Sequence, residues 1–271
     1  MKKIFTILIL CAFFSLFTTS AKAQIVKGES FLGFNLSQID GDKAYGYKRI
    51  GIHGGLGVLV PVYSKGNFNI DASLEVVFNQ RGSHQNPIYR DTLNGKPITG
   101  AYDVYLNYLE VPVMVYFTDK QITSLGIGAS YGRLVGLKEF EHGEETKVNL
   151  SYKGSDKFNL DDFCILVDLK FRIYERLKLG IRYQYSLGAI RTRDFDLVNG
   201  EPDLEWQDVK QYNNVITARL IYVFNEDRSQ YIYDKYVFTG DNPRIHQKTI
   251  DRKLKKLKKQ KEKAARKAGN K

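Results

Sequence analysis

The chain has 271 residues, of which 43% are hydrophobic and 26% are charged, and its formal net charge is +11. This length fits one large β domain or two average domains. Residues 225–271 carry 15 Lys and Arg against 6 Asp and Glu, whereas residues 24–224 carry 23 against 24. The central part of the chain is therefore nearly neutral, and the basic character belongs mainly to a C-terminal tail.

The first 23 residues have the pattern of a secretory signal peptide. Two lysines precede an apolar run over residues 4–19, and the letters AKA at residues 21–23 give a cleavage site of the A-x-A kind. Export removes nucleic acid from the expected partners, although Lys-rich proteins commonly bind it. After cleavage Cys164 is the only cysteine, so no intrachain disulfide can form. Its position in a predicted strand indicates a packing role.

Eight segments of the central part alternate apolar and polar side chains with a period of two, which is typical of strands. No segment there has a convincing helical pattern. In residues 67–80 the alternation is clearest, because apolar residues from Phe68 to Val76 alternate with polar residues from Asn69 to Glu75. The predicted strands are residues 29–40, 49–61, 67–80, 102–118, 121–137, 160–174, 177–191 and 211–224.

Short and long connections alternate along the predicted strands. The short ones are residues 63–67, 118–121 and 174–177, and the long ones are residues 81–101, 138–159 and 192–210, with residues 41–48 a shorter member of the long set. Outer-membrane barrels have short periplasmic turns, long outer loops and strands of about 9–11 residues that cross the bilayer. The sequence therefore predicts an all-β fold, an eight-stranded antiparallel up-and-down transmembrane β-barrel. Both termini should be periplasmic, and the long loops should be extracellular.

The strand at residues 102–118 contains Glu110 and Pro112 between apolar residues of the opposite face. A buried carboxylate needs partners, so Glu110 should point into a polar barrel interior while the apolar face meets lipid. Eight strands enclose a space that side chains just fill, so charged residues there should plug the barrel. Pro112 should lie at a bulge. The predicted interior charge network, with a structural role, comprises Asp71, Glu75, Glu110 and Asp168 facing Lys170, Arg172, Lys178, Arg182 and Arg219.

Four segments carry a resemblance to a known family. They are GFNLSQIDGDKAYGYKRIGIHGGLGV at residues 33–58, YLEVPVMVYF at 108–117, GASYGRLV at 128–135 and IRYQYSLGAI at 181–190. The chain thereby resembles the PorT-like outer-membrane β-barrel family over about residues 25–224. The resemblance implies an outer-membrane barrel and a role in a system that exports proteases and surface proteins.

Two features depart from the family pattern. Cys164 stands where a small residue such as glycine is expected, which narrows the interior slightly. Phe224, the aromatic residue that closes the last predicted strand, is followed by residues 225–271, whereas such chains often end there. We therefore expect three parts: a signal peptide (1–23), a barrel (24–224) and a periplasmic tail (225–271) that is basic from about residue 248.

The end of the tail has weakly amphipathic helical spacing. Its partners would be anionic periplasmic surfaces or cell-envelope proteins, and the alternative is a solvated charge run with no partner. Outer-membrane lipid is the expected partner of the barrel itself. The basic patch of the tail comprises Arg252, Lys253, Lys255, Lys256, Lys258 and Lys259.

No motif of an enzyme, a nucleotide site or a metal site is present, so we expect no catalytic residues, cofactor or metal. His84 and His142 should be ordinary loop residues, and binding of a surface metal by them is the less common alternative. His53 should face the interior, where a carboxylate could pair with it. The prediction is a non-enzymatic outer-membrane protein with a structural or accessory role, assisting protein secretion or surface assembly through its loops and tail. Two alternatives stay open: an exported soluble lipocalin-like barrel, apolar inside, and a small-solute pore.

Overall fold

The computed structural model describes residues 26–65, 67–88, 91–93, 96–146, 157–195, 205 and 207–226. The predicted signal peptide and the basic part of the tail lie outside the described residues. Within the described part of the chain, no helix is long and apolar enough to cross a membrane.

Eight long strands form the wall of a barrel. They are β1 (Lys27–Asp40), β2 (Arg49–Lys65), β3 (Phe68–Gln85), β6 (Tyr102–Asp119), β7 (Thr123–Glu141), β9 (Asp161–Tyr174), β10 (Leu177–Ser186) and β12 (Val209–Phe224). Four short strands lie in the long connections. They are β4 (Asp91–Leu93), β5 (Lys96–Ile98), β8 (Glu144–Thr146) and β11 (Arg191–Arg193).

Each long strand pairs antiparallel with the next one in the chain, and the last pairs with the first. The closing ladder runs from Gly28 opposite Phe224 to Asp40 opposite Tyr212. Closure leaves the barrel wall without free edges. The predicted fold class, a closed eight-stranded antiparallel up-and-down barrel, is confirmed.

Four strands end four or five residues away from their predicted ends: β2 continues to Lys65 and β7 to Glu141, and the other two are β3 and β10. β3 continues past residue 80 to Gln85, because Arg81 and the residues after it remain paired with β6. These residues are polar, and their sequence is typical of a loop. β10 stops at Ser186 and not at residue 191, since the chain turns inward there. Ile190 is buried, and its amide donates to the carbonyl of Gln211 at 2.8 Å.

The wall has an apolar outer face and a polar inner face. On β6, the outward residues from Leu109 to Phe117 are exposed, Val113 at 56%, while Glu110 is only 1% exposed. Such a belt spans nine residues, close to the roughly 9–11 that a tilted membrane strand needs. Because the apolar side chains are outside, this arrangement is the reverse of a soluble lipocalin-like barrel.

Pro112 interrupts one ladder without a bulge. The β3–β6 pairs Leu74–Val113 and Val77–Glu110 keep the same register on either side of it, and only the pairs between them are missing. The predicted bulge at Pro112 is therefore wrong: the ladder tolerates the absent amide donor by omitting pairs and not by inserting a residue. A register shift next to a proline does occur in β2, between Pro61 and Tyr63.

The loop end of the barrel is closed by an apolar cluster. Phe158 and Ile190, which precede β9 and β11, turn into the barrel and pack on wall residues of β1, β6 and β7. The wall residues of this cluster are Ile39, Val104, Leu106, Tyr108 and Leu134. The two connections thus supply side chains that cover the interior from the loop side.

Candidate functional site: the filled barrel interior

The middle of the barrel contains two carboxylates and two guanidinium groups. Arg182 on β10 lies 2.9 Å from Glu75 and 2.9 Å from Asp168. Arg219 on β12 lies 3.0 Å from Glu75 and also pairs with Asp168. All four residues are at most 1% exposed. The formal charges of this group, which we call the central quartet, cancel.

Tyr116 on β6 completes the central quartet. Its hydroxyl donates to Asp168 at 2.7 Å, and it also lies within 3.4 Å of Glu75. Its ring covers Gly126, its cross-strand neighbour on β7, so closely that a Cβ at Gly126 would overlap the ring. The glycine therefore makes the space in which the tyrosine reaches the quartet.

A second group lies nearer the loop end. Arg81 pairs with Glu110 and lies 2.9 Å from Asp162. Two amides extend this group: Asn79 donates to Glu110 at 3.0 Å, and Gln184 lies 3.3 Å from the same carboxylate. Glu110, the carboxylate inside an apolar-looking strand, is thus held by one ion pair and two amides.

A third group fills the end with the short turns, which we call the base. Lys170 lies 2.8 Å from Glu29. The carboxylate of Glu226, just after β12, lies 2.7 Å from Arg172, 3.0 Å from Lys178 and 3.4 Å from Lys27. The first and last strands are thereby tied together at the base.

Glu226 stays ionised because of these cations. Burial of its side chain works against the charged form, but Lys178, Arg172 and Lys27 outweigh burial and hold the pKa of Glu226 below the ordinary value of 4.5. Three cations around one carboxylate leave a local positive excess.

A fourth group lines the mouth above the apolar cluster. Arg191 lies 2.6 Å from Glu139, and the hydroxyl of Tyr102 donates to the same carboxylate at 2.8 Å. Arg193 pairs with Glu141 and lies 3.5 Å from Glu139. Ion pairs therefore lie above and below the apolar cluster.

The structure brings together only part of the predicted interior charge network. Glu75, Asp168, Arg182 and Arg219 meet in the central quartet. The predicted carboxylate Asp71 is buried but forms no ion pair with a described residue. The other predicted members lie inside the barrel with partners that were not predicted: Lys170 with Glu29, Arg172 and Lys178 with Glu226, and Glu110 with Arg81.

The residues missed by the sequence analysis had a partial signal. Glu29 occupies an inward position of the alternation in β1. Arg81 also occupies an inward position, but the predicted strand ended at residue 80 and so did not include it. Glu226 follows the last strand, where the alternation ends and gives no direction. The basic patch predicted in the tail lies outside the described residues.

The single-residue predictions have mixed outcomes. Cys164 is buried and packs near Asp162, with its Sγ 3.3 Å from the carboxylate. His53 faces the interior, but it contacts the side chain of Asn79 at 3.5 Å and stacks on Phe31, so the suggested carboxylate pairing is absent among the described residues. His84, expected in a loop, lies in β3 and pairs with Asp103.

No metal centre is formed by the part of the chain that the structure describes: no group of three His, Cys, Asp or Glu residues is placed to hold an ion. His142 lies in a turn, where its Nδ1 accepts the amides of Thr99 at 3.3 Å and Gly100 at 3.2 Å. Its ring therefore organises the loop backbone.

An apolar outer belt around a charged and filled interior defines an integral outer-membrane β-barrel. The chain belongs to the family described as outer membrane protein beta-barrel domain, whose model matches residues 23–191. Outer membrane is accordingly the location of this protein.

Several solved structures are similar to the chain. Ail, the attachment invasion locus protein of Yersinia pestis, in complex with the heparin analogue sucrose octasulfate, has 13% identity and a TM-score of 0.34, covering 73% of this chain and 99% of that one. Neisserial surface protein A has 8% identity and a TM-score of 0.34, and the match covers 73% of this chain and 96% of that one. The toluene transporter TbuX of Ralstonia pickettii has 10% identity and a TM-score of 0.21, and the match covers 77% of this chain and 90% of that one. No curated protein matches the sequence.

Proposed function

We propose that this protein is a closed, non-enzymatic scaffold in the outer membrane that acts as an accessory component of protein secretion or surface assembly. The observation that supports the proposal is the filling of the interior. The base, the central quartet and the mouth each contain buried ion pairs, and an apolar cluster lies between the central and mouth groups. With its interior occupied, the barrel acts through its ends.

The interior residues have a structural role in this proposal. Glu75, Asp168, Arg182 and Arg219 bind one another, which leaves no carboxylate or guanidinium of the central quartet facing a substrate cavity. Buried charges of this kind are costly unless they are paired. Pairing also argues against a small-solute pore, since a pore needs charged groups that water and solutes reach.

The long connections supply the contact surface in our proposal. We assign the base, both termini and the short turns to the periplasm, and the loop end to the outside, because an even number of strands returns the chain to its starting side. Residues 1–23 would be removed, and residues 225–271 would remain in the periplasm. There the patch that includes Arg252 and Lys253 would contact anionic surfaces or envelope proteins.

The proposed role in secretion or surface assembly comes from the resemblance to the PorT-like family, and the closed barrel is compatible with it. A barrel of this kind would hold a secretion partner at the membrane through residues 86–101, the connection between β3 and β6. Ile88 in this connection is 68% exposed, so the connection presents apolar surface to a partner.

The test compares surface-exposed proteins in four strains of the source bacterium. The strains carry the native gene, a deletion of the gene, a barrel with residues 86–101 replaced by a short Gly-Ser turn, and a barrel that lacks residues 248–271. We expect the loop-replaced strain to lose the same surface proteins as the gene deletion while the barrel remains in the membrane. An unchanged set of surface proteins in the gene deletion would contradict the proposal.

A further inference from the structure

Arg49 differs from most arginines of the described chain in having no carboxylate partner there. Seven other arginines pair with Asp or Glu: Arg81, Arg133, Arg172, Arg182, Arg191, Arg193 and Arg219. The guanidinium of Arg49 instead lies over the ring of Tyr105, 3.4 Å from its centroid. A cation over an aromatic face keeps the edge of its guanidinium available for further hydrogen bonds.

The contact between Arg49 and Tyr105 crosses a strand. Arg49 begins β2, Tyr105 lies on β6, and β3 runs between them with Gly82 opposite Tyr105. Arg49 occupies an inward position of β2, opposite the buried Ser37 of β1, while Ile50 next to it points outward. Because Gly82 carries no side chain, the half-buried arginine still reaches across β3, and its guanidinium lies against the outward-facing ring of Tyr105.

Lys138 adds a second cation at the same place. It lies directly opposite Tyr105 in the β6–β7 ladder, so both side chains share the outer face, and it is exposed. The described residues offer it no ion pair. Asp103, the acidic residue two positions from Tyr105 on the same face, is already paired with His84. Two cations without a carboxylate partner among the described residues thus lie in one neighbourhood: Arg49 over the ring of Tyr105, and Lys138 at the ladder position opposite that tyrosine.

This group lies at the edge of the apolar belt. Ile50 and Ile52, the outward residues that follow Arg49 on β2, are 66% and 56% exposed. In a bilayer, the headgroup layer begins where the apolar belt ends and extends for roughly 5–7 Å on each side. Arg49 is therefore at the level of lipid headgroups when the isoleucines contact acyl chains.

We propose that Arg49, Lys138 and the ring of Tyr105 form a binding site for the phosphate group of an anionic membrane lipid. A guanidinium binds phosphate oxygens through two parallel N–H groups, and an ammonium adds a point charge beside it. The neighbouring isoleucines hold the acyl chains, which selects a lipid over a soluble phosphate. The site requires only that the barrel is inserted, so it stands apart from the proposed role in secretion.

The test is a titration of the full-length protein in zwitterionic micelles, followed by NMR. Dihexanoyl phosphatidic acid is added, and the side-chain Nε–H signal of Arg49 is compared with that of Arg133, an arginine that pairs with Asp161 at 2.7 Å. We expect saturable shifts at Arg49 and not at Arg133. One basic residue near a membrane surface contributes enough attraction for about a fivefold change in affinity, so Lys138→Gln should weaken binding by about fivefold.

The matched control is Lys210→Gln, which removes an exposed lysine from another side of the loop end and should leave the affinity at Arg49 unchanged. Each of three results would overturn the proposal. They are equal shifts with dihexanoyl phosphatidylcholine, equal losses of affinity in the two lysine variants, and saturation by inorganic phosphate at the same concentration as by the lipid. The basic tail stays present throughout, and its binding is read from separate signals.

Discussion

Arg182 and Arg219 lie side by side inside the barrel, and both contact the carboxylates of Glu75 and Asp168. Two like charges on neighbouring strands would repel each other in a medium of low dielectric constant. The two carboxylates reverse that effect, because each arginine contacts both of them. The four residues behave as one electrostatic unit that ties β3, β9, β10 and β12 across the barrel.

Glu75→Gln is expected to destabilise the barrel strongly. The change leaves Arg182 and Arg219 with one carboxylate, and breaking a buried ion pair by removing one partner costs about 3–5 kcal/mol. The measurement is the free energy of unfolding in urea, in detergent micelles or thin bilayers. Asp119→Asn is the control, since the side chain of Asp119 is 65% exposed at a short turn. Equal stabilities of the two variants would show that the quartet is not a unit.

Gly126→Ala tests how Tyr116 reaches the central quartet. A Cβ at this position would overlap the tyrosine ring, so the ring must move and its hydroxyl must leave Asp168. Overpacking of this kind costs about 1–3 kcal/mol. Gly188→Ala is the matched control, because a Cβ there meets no atom within 4 Å. The measurement is the temperature at which heating changes the electrophoretic mobility of the folded barrel. We expect this temperature to fall for Gly126→Ala and to stay unchanged for Gly188→Ala.

Val113→Arg tests the assignment of the outer face to lipid. Val113 is 56% exposed in the middle of the belt, and an arginine on the lipid face at the bilayer centre costs about 2–4 kcal/mol. The control is Ile88→Arg, which is 68% exposed in a connection beyond the belt and should insert normally. Folding yields into lipid vesicles measure the difference. Normal insertion of the Val113 variant would contradict the assignment.

Glu226→Gln tests the clamp at the base and has a defined pH dependence. At neutral pH the change removes charged hydrogen bonds from the carboxylate, with an expected cost of about 1.5–3 kcal/mol. Because the cations lower the folded pKa of Glu226 below 4.5, its contribution is complete above that value and is lost as the pH falls through the lower folded pKa. The two proteins should therefore differ in urea midpoint at pH 7, and the difference should shrink as the pH falls below 4.5 and through the lowered folded pKa of Glu226.

A difference in urea midpoint that does not change as the pH is lowered from 7 to well below 4.5 would show that the glutamine alters packing and not charge. Asp119→Asn serves again as the comparison, because this exposed carboxylate at a turn should change the midpoint little at either pH. The pH series thereby separates the electrostatic role of Glu226 from a general effect on the base.

The alternation of side chains was sufficient to predict the eight wall strands and the direction of most inward residues. Glu110 illustrates why: in a strand, each position determines the face, and an apolar belt on one face leaves the charge on the other. Strand ends were less predictable. Arg81 and Gly82 are residue types that are common in loops, yet they continue β3 because β6 supplies their ladder partners.

The partners within the interior could not be predicted from the alternation. The pairing of Lys170 with Glu29 joins residues 141 positions apart, and it exists only because closure brings β1 across from β9. Phe158 and Ile190 come from connections without a period of their own. Their burial depends on the shape of the mouth, which no local pattern encodes.

The most direct test of the account is the conductance of the purified full-length protein in planar lipid bilayers. A barrel whose base, middle and mouth hold buried ion pairs should give no steady ion current, even after its insertion has been verified by the heat-dependent mobility shift. Stable, stepwise currents from the inserted protein would contradict the filled interior, and with it the proposal of a closed scaffold.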